Sequence, residues 1–306
     1  MIMEPFRVHI LGCGSALPTL KHFPTSQVVE CRGKLFMVDC GEGAQLQMRR
    51  AGLSFSKMGH IFLSHLHGDH CLGLVGMLST FGLLGRMARM HVYADKSLQP
   101  LLEQQLAFFC YDLSYEVEFH AIDTTRQTTI YEDRSLTVET LPLEHRVPCC
   151  GFIFREKPAL PHIRREMIDM YNIPVSQIQN IKNGAGYELP DGTLVPHERL
   201  VMPAESPRAY AYASDTRYIP RLHEQLGGVT TLYHEATYAD DNLPMAQKYN
   251  HSTARQAATV ARDAGVGQLL IGHYSSRYDD EQLLLSQAQE VFPQTKLTRE
   301  MLVFDV

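Results

Sequence analysis

Apolar residues in this chain fall into short runs broken by turn-forming residues, a pattern that predicts strands before it predicts helices. Val8-His9-Ile10-Leu11, Val28-Val29-Glu30 and Leu35-Phe36-Met37-Val38 read as three strands, followed by a helix from Glu42 to Arg50. Ile61-Phe62-Leu63-Ser64, Met90-His91-Val92-Tyr93-Ala94 and Leu136-Thr137-Val138-Glu139-Thr140 continue the series. A helix reaching Phe109 lies before the last of these and holds Pro100 in its first turn. Tyr210-Ala211-Tyr212-Ala213, Thr230-Thr231-Leu232-Tyr233 and Gln268-Leu269-Leu270-Ile271 are largely apolar, and each leads within two residues to a polar, potentially chemical one. Thr253 and Gln256 form a T-x-x-Q capping box. Ala257, Val260, Ala261 and Ala264 then recur at helical spacing until Gly265 ends the segment. Strands first, then strands alternating with helices, indicate an α/β protein.

The texture changes between Lys157 and Leu200. Prolines stand at 158, 161, 174, 190 and 196, a short amphipathic helix is expected from Ile163 to Tyr171, and Glu188-Leu189-Pro190-Asp191-Gly192-Thr193-Leu194 reads as a hairpin. Residues 157–200 are therefore expected to form an arm inserted in an otherwise single domain spanning 1–306. The other reading is an ordinary long connection, but structureless loops of that length are uncommon inside compact domains.

Composition narrows the class. At 306 residues the chain can bury a sizeable core, and its net charge of −6 argues against general charge-driven binding to nucleic acid or an anionic membrane. A local basic patch remains compatible with it. Seven cysteines, an odd number without CxxC spacing, give neither a disulfide framework nor a thiolate zinc site and fit a reducing cytoplasm. Met1–Arg7 carries no leader pattern, and no apolar run is long enough to span a bilayer.

The chemistry concentrates in His65-Leu66-His67-Gly68-Asp69-His70, directly after a predicted buried strand. A loop at a strand end can turn these side chains toward one point, and imidazole with carboxylate suits Zn²⁺. These six residues hold four candidate ligands, too few to fill two ions, so others must come from further along the chain. Three strand ends offer them: His145 in Leu143-Glu144-His145-Arg146, Asp215 in Ser214-Asp215-Thr216, and His273 after Gly272. Gly12-Cys13-Gly14-Ser15 is read as a tight turn, since it lacks the Lys-Ser/Thr of a phosphate loop.

The spacing HxHxDH, then a lone His, a lone Asp and a final His, resembles the metallo-β-lactamase superfamily. That resemblance implies an αββα sandwich with a dinuclear site at one edge. It also implies that His65, His67 and His145 hold one zinc, Asp69, His70 and His273 the other, and that Asp215 bridges them. Two ions about 3.5–4 Å apart suit activation of a water and stabilisation of the attacking and leaving oxygens of a phosphoryl transfer.

More local motifs narrow the resemblance: Leu11-Gly12-Cys13-Gly14-Ser15-Ala16-Leu17-Pro18-Thr19, Val38-Asp39-Cys40-Gly41-Glu42-Gly43-Ala44-Gln45, His234-Glu235-Ala236-Thr237, His251-Ser252-Thr253 and Ser275-Ser276-Arg277-Tyr278. They are similar, in order and spacing, to the ribonuclease Z family, which trims the 3′ trailer from precursor tRNA. The resemblance implies a cytoplasmic zinc endoribonuclease with two Zn²⁺ per chain that leaves a 3′-hydroxyl, acts as a homodimer, and grips tRNA with the arm. Two departures stand out. Pro18-Thr19-Leu20-Lys21-His22-Phe23-Pro24 keeps one firm positive charge where the family has a basic loop, and Ile173-Pro174-Val175-Ser176-Gln177 replaces a Gly-Pro-rich arm motif.

His251 precedes a helix N-terminus, where exposed amides favour an anion such as a scissile phosphate. The same field opposes an imidazolium, so an acidic partner is required, and the resemblance pairs His251 with Glu235. The assigned roles are Asp69 holding metal and orienting the nucleophile, His251 protonating the departing oxygen, Glu235 positioning His251, and Arg277 clamping phosphate oxygens. A surface ion pair for Arg277 and a structural tie to a backbone turn for Glu235 are the plainer alternatives. Two other functions stay open at this level: a metallohydrolase of small phosphodiesters or aryl sulfates, and an RNA-binding scaffold without catalysis.

Overall fold

In the computed structural model, which describes residues 5–204 and 206–306, the apolar runs become two seven-stranded sheets. The first, in spatial order, is Val303–Asp305, Phe6–Gly12, Ser26–Cys31, Lys34–Cys40, Met58–Phe62, Met90–Asp95 and Val117–Ile122. Its opening strands pair antiparallel, and from Lys34–Cys40 onward the pairing is parallel. The second is Thr295–Leu297, Gln268–Gly272, Thr231–Glu235, Ala209–Ala213, Cys150–Glu156, Leu136–Pro142 and Thr129–Glu132. Parallel pairing links its first four members.

Side chains that alternate along each strand sort into two cores. Phe36, Val38, Phe62 and Tyr93 of the first sheet join Phe152, Phe154, Tyr210 and Tyr212 of the second in one cluster. Leu35, Met37, Ile61 and Val92, one position out of phase, face a separate cluster with Met48, Met77, Leu78 and Leu102 of the helices Ala44–Arg50, Leu74–Leu83 and Leu98–Phe109. Helices Ala254–Ala264 and Gln282–Gln289 supply Ala257, Ala261 and Leu284 to the first cluster. The layers are those of an αββα sandwich.

Every strand named from the sequence forms, with shifted bounds. The helix expected from Glu42 begins at Ala44, because Gly43 sits in the left-handed region at φ 81°. Leu63 and Ser64 lie beyond the strand Met58–Phe62. Gly68–Cys71, expected as loop, is a turn of helix. That turn is possible because Gly73 meets the Cys40–Gly41 backbone so closely that a Cβ would stand 2.1 Å from the Gly41 oxygen.

Residues Glu156–Pro207 form a second compact unit. Within it His162–Ile163 pairs antiparallel with Val201–Met202, so the expected helix starts only at Arg165 and runs to Tyr171. Tyr187–Glu188 pairs with Leu194–Val195 as the hairpin signal requires. Ile173, Ile181, Val195, Leu200 and Val201 give the unit a small core of its own.

Met1–Glu4, part of the segment on which the absence of a leader is read, lie outside the described residues. Among the described residues no helix is long and apolar enough to cross a membrane.

Candidate metal centre

Parallel strands end at the same edge of a sheet, and the chain places its chemistry there. Ala209–Ala213 leads to Asp215, Thr231–Glu235 ends on Glu235, and Gln268–Gly272 leads to His273, with Ala213 opposite His234 and Glu235 opposite Gly272 in register. Met58–Phe62 leads to His65–His70 and Leu136–Pro142 to His145.

These loops converge. Ligand atoms of His65, His67, His145 and Asp215 lie within 4.8 Å of one another, as do those of Asp69, His70 and His273. His67 Nδ1 is 3.1 Å from His65 Nε2 and 3.2 Å from His145 Nε2. Three ring nitrogens facing one point cannot all be satisfied by shared protons. Asp215 is buried between the sets: its Oδ2 lies 3.7 Å from His65 Nε2 and 3.8 Å from His145 Nε2, its Oδ1 3.5 Å from His70 Nε2 and 3.2 Å from His273 Nε2. Asp215 Oδ1 has no hydrogen-bond partner although it is buried. A buried carboxylate oxygen without a partner, among converging imidazole nitrogens, fits divalent cations. All seven expected ligands fall within these two sets.

The outer nitrogens are engaged. His65 Nδ1 donates to Ser64 Oγ at 3.0 Å, His70 Nδ1 to Asp39 Oδ2 at 2.7 Å, His145 Nδ1 to the Asn250 carbonyl at 2.9 Å and His273 Nδ1 to Thr237 Oγ1 at 2.8 Å. Each bond fixes a tautomer and leaves Nε2 facing inward. Burial lowers the pKa of His65, His67 and His145 against the opposing pull of Asp215, which favours the neutral rings a metal requires. For His70 burial acts the same way but Asp215 and Asp39 outweigh it, and the pKa rises.

Asp39 is the residue that sequence reasoning passed over as anything more than part of a motif. Fully buried, with φ 56°, it accepts from Ser64 N (2.7 Å), Ser64 Oγ (2.8 Å) and Tyr212 OH (2.6 Å) besides His70. It thereby ties the HxHxDH loop to both sheets. No local signal sets it apart, since its partners are 25 to 173 positions away.

Glu235 is buried and accepts from His251 Nδ1 at 2.9 Å, Thr216 N at 3.2 Å, Ser252 N at 3.0 Å, and Thr237 N and Oγ1 at 3.0 and 2.7 Å. It serves both as partner of His251 and as tie to backbone turns. Burial disfavours charge on His251, yet the Glu235 carboxylate raises its pKa to about 9. The capping box forms as read, with both reciprocal bonds, so His251 stands just before the N-terminus of Ala254–Ala264. His251, Asp69, Asp215 and His273 line a cleft of about 420 Å³ together with Ala16, Leu17 and Arg146.

Arg277 is exposed. Its Nη1 donates to Asn242 Oδ1 at 2.9 Å and its guanidinium lies 5.2 Å from the Tyr238 ring centre, while its neighbours Ser275 and Ser276 line the cleft. Arg146, unassigned from sequence, is the guanidinium lining that cleft among the described residues. The loop Pro18–Pro24 is pinned from behind. His22 bonds Glu300 through Nδ1 (3.0 Å) and Glu281 through Nε2 (3.1 Å), and Lys21 Nζ is neutralised by Glu281.

The model of the family described as the anti-Pycsar protein Apyc1 matches residues 6–160, which include the HxHxDH cluster and His145. A ribonuclease Z of Bacteroides fragilis is 56% identical over 300 residues, covering 98% of this chain and 99% of the relative. Among solved structures, the short form of human tRNase Z superposes with a TM-score of 0.69 at 21% identity, covering 97% of this chain and 98% of that one. YhfI of Bacillus subtilis, a metallo-β-lactamase fold protein, gives a TM-score of 0.69 at 17% identity, with 99% and 100% covered. These two likenesses show the fold.

Proposed function

The chain belongs to the ribonuclease Z family, and on that premise we propose that the strand-end cluster is a dinuclear zinc site at which this metal-dependent endoribonuclease removes the 3′ trailer of precursor tRNA. The observation that carries the site assignment is Asp215, which turns one carboxylate oxygen toward each set of imidazoles. His65, His67 and His145 would hold one ion, Asp69, His70 and His273 the other, with Asp215 shared. Bound there, two divalent ions supply Lewis-acid charge for phosphoryl oxygens and raise the acidity of water.

The chain's own residues do the rest. A scissile phosphate in the cleft meets His251, which stands just before the N-terminus of Ala254–Ala264, where the helix dipole favours an anion. Water adds to phosphorus, the bond to the ribose 3′ oxygen breaks, and His251 donates a proton to that oxygen, leaving a 3′-hydroxyl on the tRNA and the phosphate on the trailer. Glu235 holds the ring through Nδ1, so that Nε2 is the donating atom. Arg146 lines the cleft, and Arg277 follows the lining residues Ser275 and Ser276. Arg277 must leave Asn242 to reach the cleft.

Asp39→Asn is expected to weaken metal binding about 10–100-fold, the usual cost of losing the partner that orients a ligand histidine. Competition with a chelator of known affinity measures it; unchanged affinity would show that His70 needs no orientation from Asp39.

The same reading makes residues 157–200 a tRNA-gripping arm, in which Arg165 is exposed and Arg164 and Lys182 are half-buried. Binding and chemistry should then separate. Deleting residues 165–195 is expected to raise KM for a 3′-extended precursor tRNA or abolish its cleavage, while sparing hydrolysis of a small chromogenic phosphodiester. Wild-type tRNA cleavage should also fall steeply with salt. Loss of both activities would place the segment in the fold, and loss of neither would sink the tRNA-gripping role. The full-length relatives weigh against the reading as a hydrolase of small diesters or sulfates. A cytoplasmic homodimer completes the proposal, and light scattering on the purified protein tests the dimer.

A further inference from the structure

Three parallel strands at the far edge of the first sheet bring a second set of ligating groups together. In register, His60 stands opposite His91, His91 opposite Glu118, and Tyr93 opposite His120. Because alternate residues share a face, His91, Tyr93, Glu118 and His120 project on one side. Ligand atoms of His91, Glu118 and His120 lie within 4.8 Å of one another. His91 Nδ1 is 2.9 Å from His120 Nε2, His120 Nε2 is 3.5 Å from Glu118 Oε1, and His91 Nδ1 is 3.8 Å from Glu118 Oε2. A tetrahedral ion about 2.0–2.1 Å from each ligand would set them about 3.3–3.4 Å apart, against 2.9 Å between the two ring nitrogens and 3.5 Å from His120 to Glu118 Oε1.

We propose that His91, Glu118 and His120 form a metal site, separate from the catalytic cluster, for a divalent transition ion such as Zn²⁺ or Ni²⁺. The rings are already oriented: His91 stacks on His60 at 4.9 Å and 13°, and His120 on Tyr93 at 4.4 Å and 11°. Arg89 holds Glu118 Oε2 at 2.6 Å, which fixes the carboxylate and leaves Oε1 toward His120. Burial lowers the pKa of His91 despite Glu118, so its ring is neutral at physiological pH. A hydrogen bond between neutral rings along the 2.9 Å contact places its proton on one of the two facing nitrogens. An ion displaces it to the donor ring's other nitrogen, and both facing nitrogens become ligands without net proton release.

With side chains 27%, 34% and 31% exposed, the group can be reached from solvent and leaves an open position for water. Three ligands at a half-exposed site bind more weakly than the buried catalytic set. Val117–Ile122 is the edge strand of its sheet, and an ion here would staple it to Met90–Asp95. The site shares no residue with the catalytic cluster, so the inference does not rest on the assignment of that cluster.

The test starts from protein already loaded with its resident ions and freed of excess. Calorimetric titration with Ni²⁺, and separately with Zn²⁺, should show one further saturable equivalent per chain, and the melting temperature should rise with the same ion concentration. His91→Gln and His120→Gln should each abolish the extra equivalent and the thermal shift while keeping resident metal and cleavage activity. Glu118→Gln should weaken it. Absence of a further equivalent in the wild type, or its persistence in a folded His91→Gln/His120→Gln double variant, overturns the proposal. Unchanged resident metal and circular dichroism in the variants exclude simple misfolding.

Discussion

Asp215→Ala is expected to strip the protein of both catalytic ions and to lower hydrolysis by about 10³-fold or more, since metal charge supplies several kcal/mol of transition-state stabilisation and each 1.36 kcal/mol is tenfold. The reason is geometric. Oδ1 faces His70 and His273 at 3.5 and 3.2 Å, and Oδ2 faces His65 and His145 at 3.7 and 3.8 Å. On the proposed assignment, removing the carboxylate would withdraw a ligand from each ion together with the negative charge that would offset their mutual repulsion. His145→Ala removes a ligand from one set only and should chiefly lower the occupancy of that ion. Elemental analysis after gel filtration measures both. An Asp215→Ala protein that retains two ions would end the bridging assignment, and wild-type protein without metal would end the mechanism.

His251→Ala is expected to slow precursor tRNA cleavage about 10²–10⁴-fold, the usual contribution of general acid catalysis, with metal content unchanged. Metal content decides the role, because His251 lies with Asp215 and His273 within 4.8 Å and so stands close enough to ligate. A variant that loses an ion would make His251 a ligand and not the proton donor. Glu235→Gln keeps the shape but removes the charge that sustains the imidazolium. It should show a smaller loss of kcat in the same direction. It also exchanges an acceptor for a donor among Thr216 N, Thr237 N and Ser252 N, so some stability will go with it. Wild-type kcat in that variant would leave Glu235 a structural tie alone.

Much of the scaffold was legible because strand periodicity is local. Runs such as Leu35–Val38 and Gln268–Ile271 carry their own signal, and so does the capping box at Thr253 and Gln256. Helices Leu74–Leu83 and Gln282–Gln289 and the strand Cys150–Glu156 were not drawn from it. Leu74–Leu83 mixes Gly76 and Gly82 into an apolar stretch that reads poorly as either element. Cys150–Glu156 is buried on both faces, so it shows no alternation.

By itself the sequence determined the ligand types, because HxHxDH concentrates imidazole and carboxylate within six residues and the lone His145, Asp215 and His273 each stand after an apolar run. Pairing those ligands into sets came only from resemblance. What the tertiary structure decided was which groups face each other across long separations: Asp215 between two sets of imidazoles, Asp39 beneath His70, Arg277 on Asn242, Arg146 at the cleft, and His91 against His120. Contacts between distant segments depend on sheet order, register and loop direction, which residue type and spacing along the chain do not encode locally.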